Sequence, residues 1–182
     1  MITIKIIAFS VLLSLIAFTR ATASDIGQNA PDCKLSDLSD RSAIDLNRYR
    51  GQVLYLDFWA SWCPPCAKSF SFLNTVHEEF HPRGLKIIGV NMDEEPDDAR
   101  AFLEDYPAQF EVRADAGATC AKLFDVKAMP SSYLIDRNGV IRHIHLGFRA
   151  GEIDDIKQLI QQLLAENHES LNNDFSFVSP RE

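Results

Sequence analysis

Trp62-Cys63-Pro64-Pro65-Cys66 ends the apolar run Val53-Leu54-Tyr55-Leu56-Asp57-Phe58-Trp59 and leads into a helical stripe at Phe70, Leu73, Val76 and Phe80. Two cysteines two residues apart suit two chemistries, a reversible disulfide or half of a tetrahedral zinc site. Zinc would want a second close pair of cysteines or histidines, and Cys33 and Cys120 stand alone and far apart. A strand feeding a C-x-x-C that opens a helix is the redox arrangement. There the first cysteine meets the free N–H groups and positive dipole end of the helix, which stabilise a thiolate. A two-residue spacer closes too small a loop to restrain the unfolded chain, so a purely structural staple is a poor use of it. The pair Cys63 and Cys66 therefore reads as a redox-active dithiol, with no metal.

Val53–Ala60 is nearly continuous apolar sequence with β-branched and aromatic members, the pattern of a central strand buried on both faces. Asp57 violates it. An ionised, unpaired carboxylate costs several kcal/mol in such a place, so Asp57 should titrate upward. Buried, perturbed carboxylates cluster at functional sites, which makes Asp57 a candidate proton acceptor; otherwise it reaches solvent at a strand end.

Outward from this centre, 182 residues suit one domain with a sizeable core. The net charge of −8 argues against a nucleic-acid or anionic-lipid surface. Residues 1–23 read as a leader: Lys5, then the apolar stretch Ile6 to Phe18, then the small residues Ala21-Thr22-Ala23. The stretch is short for a bilayer span, so the expectation is a signal peptide cleaved after Ala23, the alternative an uncleaved N-terminal anchor. Either way the domain over residues 24–166 works in an export compartment, where disulfides persist. Residues 167–182 lack periodicity and read as a flexible tail.

Between these landmarks the chain alternates strands and helices. Residues 30–50 form a short two-stranded opening, and Leu85–Asn91 is a strand parallel to Val53–Trp59. The acids from Asp93 to Asp98 complement the dipole of a helix over Asp98–Tyr106. A short strand at Gln109–Val112 and a helix at Thr119–Phe124 follow. Val140 to Leu146 is an edge strand after the turn Arg137-Asn138-Gly139, with His143 and His145 as surface groups, and Gly151–Leu164 is a closing helix. His77 and His81, four apart on a helix, lack a third ligand and read as a solvated face. Cys33 and Cys120 are either two buried thiols or a bridged pair.

Asp57-Phe58-Trp59-Ala60-Ser61-Trp62-Cys63-Pro64-Pro65-Cys66 resembles the active-site segment of the thioredoxin superfamily. The Pro-Pro pair and the insert over residues 98–124 resemble its TlpA/ResA-like periplasmic branch, and the likeness covers about residues 30–165. It implies an α/β thioredoxin fold, a central mixed sheet flanked by helices, with an N-terminal β-hairpin. Val126-Lys127-Ala128-Met129-Pro130-Ser131-Ser132-Tyr133-Leu134-Ile135-Asp136 resembles the family stretch whose proline is cis and faces the cysteines. By that likeness Cys63 is the nucleophile, Cys66 resolves the mixed disulfide, and Asp57 is the base for Cys66. Trp62, Met129 and Pro130 then meet the substrate chain.

The implied activity is that of an exported thiol–disulfide oxidoreductase, leaning to reduction. Its substrates are proteins with disulfides or thiols, its electrons come from a membrane donor protein, and it needs no cofactor beyond Cys63–Cys66; a monomer is expected. Many relatives carry a glutamate three residues after the second cysteine, tied to cytochrome c apoproteins; Ser69 stands there, so that substrate is not carried over. The alternatives are a disulfide-forming oxidase, a thiol peroxidase or a non-enzymatic apoprotein-binding module. Against the peroxidase, Ala60 holds the place where such enzymes have Thr or Ser.

Overall fold

A computed structural model describes residues 24–175, with side chains to Glu166. The leader over residues 1–23 lies outside the described residues. One seven-stranded sheet organises the chain: β1 (Lys34–Ser36), β2 (Ala43–Asp45), β3 (Val53–Trp59), β4 (Leu85–Asn91), β5 (Glu111–Ala114), β6 (Ser131–Ile135) and β7 (Ile141–Leu146). Its order is β2-β1-β5-β4-β3-β6-β7. β3, β4 and β5 run parallel, and β1, β2, β6 and β7 are joined antiparallel. The expected mixed sheet with an opening hairpin is present.

All seven residues of β3 are buried, because helices cover both faces of the sheet at its centre. On one face Val53, Tyr55 and Trp59 pack with Leu85 and Ile87 beneath α1 (Pro64–Phe80), α2 (Pro96–Asp105) and α4 (Ile153–Phe175). On the other, Leu54, Leu56 and Phe58 pack with Ile88, Val90 and Phe124 beneath α3 (Thr119–Leu123). Each large apolar side chain withdrawn from water here contributes about 1.5–3 kcal/mol, so these two layers supply most of the fold's stabilisation.

Several boundaries differ from the sequence reading for local reasons. α2 starts at Pro96, whose fixed φ and missing N–H suit the first turn of a helix. β5 begins at Glu111 because Phe110 turns inward onto Phe70 at 5.2 Å between ring centres. α4 continues through Phe175, so part of the stretch read as a tail is helical; extending a packed helix needs only propagation, not a new nucleus. Cys33 and Cys120 are bridged, with Cα atoms 5.4 Å apart, tying the chain ahead of β1 to α3.

The histidines of β7 correct the sequence reading. His143 and His145 point to the face that α4 covers, since residues two apart share a side of a strand. Only 10% of the His145 side chain is exposed, and its Nε2 lies 3.3 Å from Glu152 in the 3₁₀ turn ahead of α4. Burial lowers the pKa of His143.

Candidate active site

Polar contacts fix the turn from β3 into α1 ahead of the cysteines. Asp93, buried just past β4, accepts the Ser61 N–H at 3.0 and 3.2 Å and the Ser61 hydroxyl at 3.0 Å. Asn91 Nδ2 donates to the same carboxylate at 2.7 Å. Of the acids read as complementing α2, Asp97 and Asp98 stand in its first turn, while Asp93 clamps the loop that carries the cysteines. The parallel pairing of Trp59 with Asn91 explains it, because both strands end together and their following residues meet.

Cys63 is the N-cap of α1 with extended backbone, and its side chain makes no cap hydrogen bond. Pro64 and Pro65 follow; proline has no N–H to leave unsatisfied in a first turn. Cys63 and Cys66 form a disulfide. Cys66 is fully buried, and Cys63, expected at the surface, is only 4% exposed in this oxidised state. The exposed group is Trp62, at 67%. Ser69, at the place of the relatives' glutamate, is buried and donates to the Cys66 carbonyl at 2.9 Å.

Asp57 is fully buried on the face of β3 that also bears Tyr55 and Trp59, the face whose core contains Cys66. Ser132 Oγ donates to its Oδ1 at 2.6 Å, and its Oδ2 has no partner among the described residues. Burial pushes its carboxyl up to about 7, the Ser132 hydrogen bond opposing weakly. On the parallel side its neighbour is Gly89, where a Cβ would lie 3.0 Å from Phe110 and 3.1 Å from Trp59 Nε1. No side chain fits there to pair with the acid.

The Met129–Pro130 peptide is cis, as the resemblance implies. Ser131, the next residue, pairs with Phe58 near the end of β3. The Gly147 N–H donates to the Pro130 carbonyl, while the Met129 N–H and C=O make no backbone hydrogen bond among the described residues. Met129 and Trp62 line one cleft of about 510 Å³ with Met92, Ala121, Lys122 and Val126. The sequence-derived residues Cys63, Cys66, Asp57, Trp62, Met129 and Pro130 thus gather at one end of the sheet.

Sequence reasoning missed Ser132 and Asp93. Ser132 lies directly opposite Asp57 in the antiparallel β3–β6 pair, a register that the sequence does not state. Two serines opening an otherwise apolar strand were the available signal. His77 and His81 stack with ring centres 4.6 Å apart, and the described residues contain no group of three or more side chains placed to hold a metal ion.

Residues 26–144 match the family described as AhpC/TSA. The thiol-disulfide oxidoreductase ResA of Geobacillus thermodenitrificans is 33% identical over 146 residues, 80% of this chain and 82% of that protein. ResA of Bacillus thuringiensis is 32% identical over 68% of this chain and 71% of its own length. A crystal structure described as a candidate thiol:disulfide interchange protein DsbE from Chlorobium tepidum superposes with a TM-score of 0.74 at 39% identity, covering 78% of this chain and 99% of that one. With the strand, dithiol helix and cis-proline in place, these likenesses agree: the chain belongs to the AhpC/TSA family within the thioredoxin superfamily, among its thiol–disulfide oxidoreductases.

Proposed function

We propose that the protein is an exported reductase of protein disulfides in which Cys63 attacks, Cys66 resolves and Asp57 takes the Cys66 proton. The carrying observation is the buried Asp57 carboxylate within β3, on the Cys66 side of the sheet, with one oxygen unpartnered among the described residues. Cys63 at the N-terminus of α1 forms the attacking thiolate and enters a mixed disulfide with the substrate. Cys66, fully buried, keeps its proton until a base removes it, and Asp57, poised near neutrality, is matched to that task. The Cys66 thiolate then attacks Cys63 Sγ, the substrate leaves as its dithiol, and two electrons have passed to it.

The same carboxylate supports the reductive direction. A dithiol becomes oxidising when its thiolate is strongly stabilised in the reduced state. A buried acid without a cationic partner does the opposite, because its charge repels a thiolate on Cys66. Substrate binding falls to the cleft under Trp62, where the free Met129 backbone groups pair with an extended segment beside the cis-proline. The leader at residues 1–23 supports export, and the reading needs a protein electron donor but no cofactor beyond the Cys63–Cys66 pair.

Equilibrating the protein in thiol buffers of known potential tests direction. A value near thioredoxin's, about −270 mV, is expected; one near −120 mV overturns the reductase in favour of an oxidase.

A further inference from the structure

Asp57, once protonated by Cys66, must return that proton to solvent before the next turnover, yet it is fully buried. Three groups stand in one row across the sheet. Asp57 of β3 pairs with Ser132 of β6, and Ser132 pairs with His145 of β7, the strand at the sheet's edge. Residues opposite one another in antiparallel strands project to the same face, so all three side chains share the α4 side. Beyond them Glu152 Oε2 sits 3.3 Å from His145 Nε2, both atoms buried and without another partner among the described residues. The pair borders an open cleft of about 360 Å³ between β7 and the start of α4.

Toward β4 the way is closed. Gly89 has no side chain, and the space beside it is filled by Trp59 and Phe110. Along β3, the buried Tyr55 faces the same Ser132 hydroxyl and Asp57 carboxyl, so it belongs to this polar group and is no separate path to the edge.

We propose that Ser132, His145 and Glu152 form the proton outlet of Asp57, with Ser132 as the positioning group and His145 as the carrier. The inference rests on the assignment of Asp57 as base for Cys66. Ser132 donates to Asp57 Oδ1, which leaves Oδ2 to receive the Cys66 proton. Directly opposed strand residues have Cβ atoms about 5 Å apart, and one water spans such a gap between a hydroxyl and an imidazole. The protonated carboxyl then rotates to present its O–H to Ser132 Oγ, the serine hydroxyl swings off Asp57, and the serine gives its own hydrogen through that water to His145 as it takes the Asp57 proton. The imidazolium is held by Glu152 until the cleft's water takes the proton. No electrons move in this step: one proton leaves Cys66 Sγ and one reaches solvent. The other groups facing His145 are His143 from its own strand, Arg149 from the loop before the 3₁₀ turn and Asp155 from α4. Arg149 donates to Glu152 Oε1 at 2.9 Å, which leaves the other oxygen of that carboxylate turned toward the histidine.

The test uses the full chain, the two outlet variants His145→Gln and Glu152→Gln, and the controls Asp57→Asn and His145→Ala. A pH jump from 5 to 9 on the oxidised protein, followed by time-resolved infrared at the carboxyl stretch of Asp57, reads proton release with no substrate present. Asp57→Asn identifies the band. Release should slow on the order of 10-fold in His145→Gln and less in Glu152→Gln. Imidazole added to His145→Ala should restore it in proportion to concentration. The reduction potential and the rate of Cys63 attack on insulin should match the unmodified chain. Release unchanged in both variants overturns the outlet, and so does slowing that imidazole does not relieve while the urea midpoint falls. An unmodified dithiol that leaves insulin intact would refute the reductase reading instead, with the infrared result still deciding the outlet.

Discussion

Replacing Asp57 by asparagine should make the oxidised protein more stable and less active at once. Its carboxyl is raised from 3.8 to about 7, chiefly by burial. As pH rises the unfolded chain therefore loses this proton first, while the folded chain keeps it. Stability falls across the window from about pH 4 to pH 7 and is level again above about pH 8, where both states are ionised. A displacement of that size corresponds to at most about 4 kcal/mol. Relaxation and water penetration around the charge reduce it, leaving ~2 kcal/mol as the expected gain for Asp57→Asn at pH 8. Asparagine keeps an acceptor for the Ser132 hydroxyl, so little is lost in exchange. At pH 4 the acid is protonated in the folded state, and the gain should shrink to under about 0.5 kcal/mol. Urea unfolding of both oxidised proteins at pH 4 and pH 8 measures the difference. Release of substrate from the Cys63 mixed disulfide should slow on the order of 100-fold. An equal stability difference at both pH values would refute the reasoning, because it would mean that Asp57 is solvated and not titrating where burial places it.

Iodoacetamide should modify Cys63 of the reduced protein well before Cys66, with a midpoint below the free-thiol value of ~8.5; equal rates would remove the distinction between attacking and resolving cysteines. The Cys33–Cys120 bridge closes a sequence separation of 87 residues, so Cys33→Ala/Cys120→Ala should cost at least ~3 kcal/mol by urea unfolding while the potential of Cys63–Cys66 stays unchanged. Asp93→Ala strips the acceptors from Ser61 and should cost about 2 kcal/mol and slow Cys63 attack. Asp93→Asn, which keeps one acceptor oxygen, should lose less on both counts; equal losses would mean that the contact is packing alone.

The strand-dithiol-helix unit was legible because each part carries a local signature. The apolar run of β3, the C-x-x-C at its end and the stripe of α1 need no distant partner to be recognised. Asp57 stood out for a related reason, as a charge where the pattern forbids one. Ser132, Asp93 and the inward turn of His145 were hidden because their roles are set by register and by what covers a face. A serine opening a strand looks the same in sequence whether it meets solvent or a carboxylate. The bridging of Cys33 with Cys120 depends on how β1 sits against α3, so spacing alone left it open.

The two disulfides stand in separate layers, Cys63–Cys66 in the core beneath α1 and Cys33–Cys120 in the core beneath α3. Between them runs hydrogen-bonded backbone from strands that leave no gap for a side chain to pass. A protein that generates an attacking thiolate in an oxidising compartment risks rearranging its own cross-links, since any sulfur within reach is a competing target. Here the sheet serves as a wall between the reactive pair and the permanent one. The domain can cycle its working cysteines without ever scrambling the bond that holds its opening strand in place.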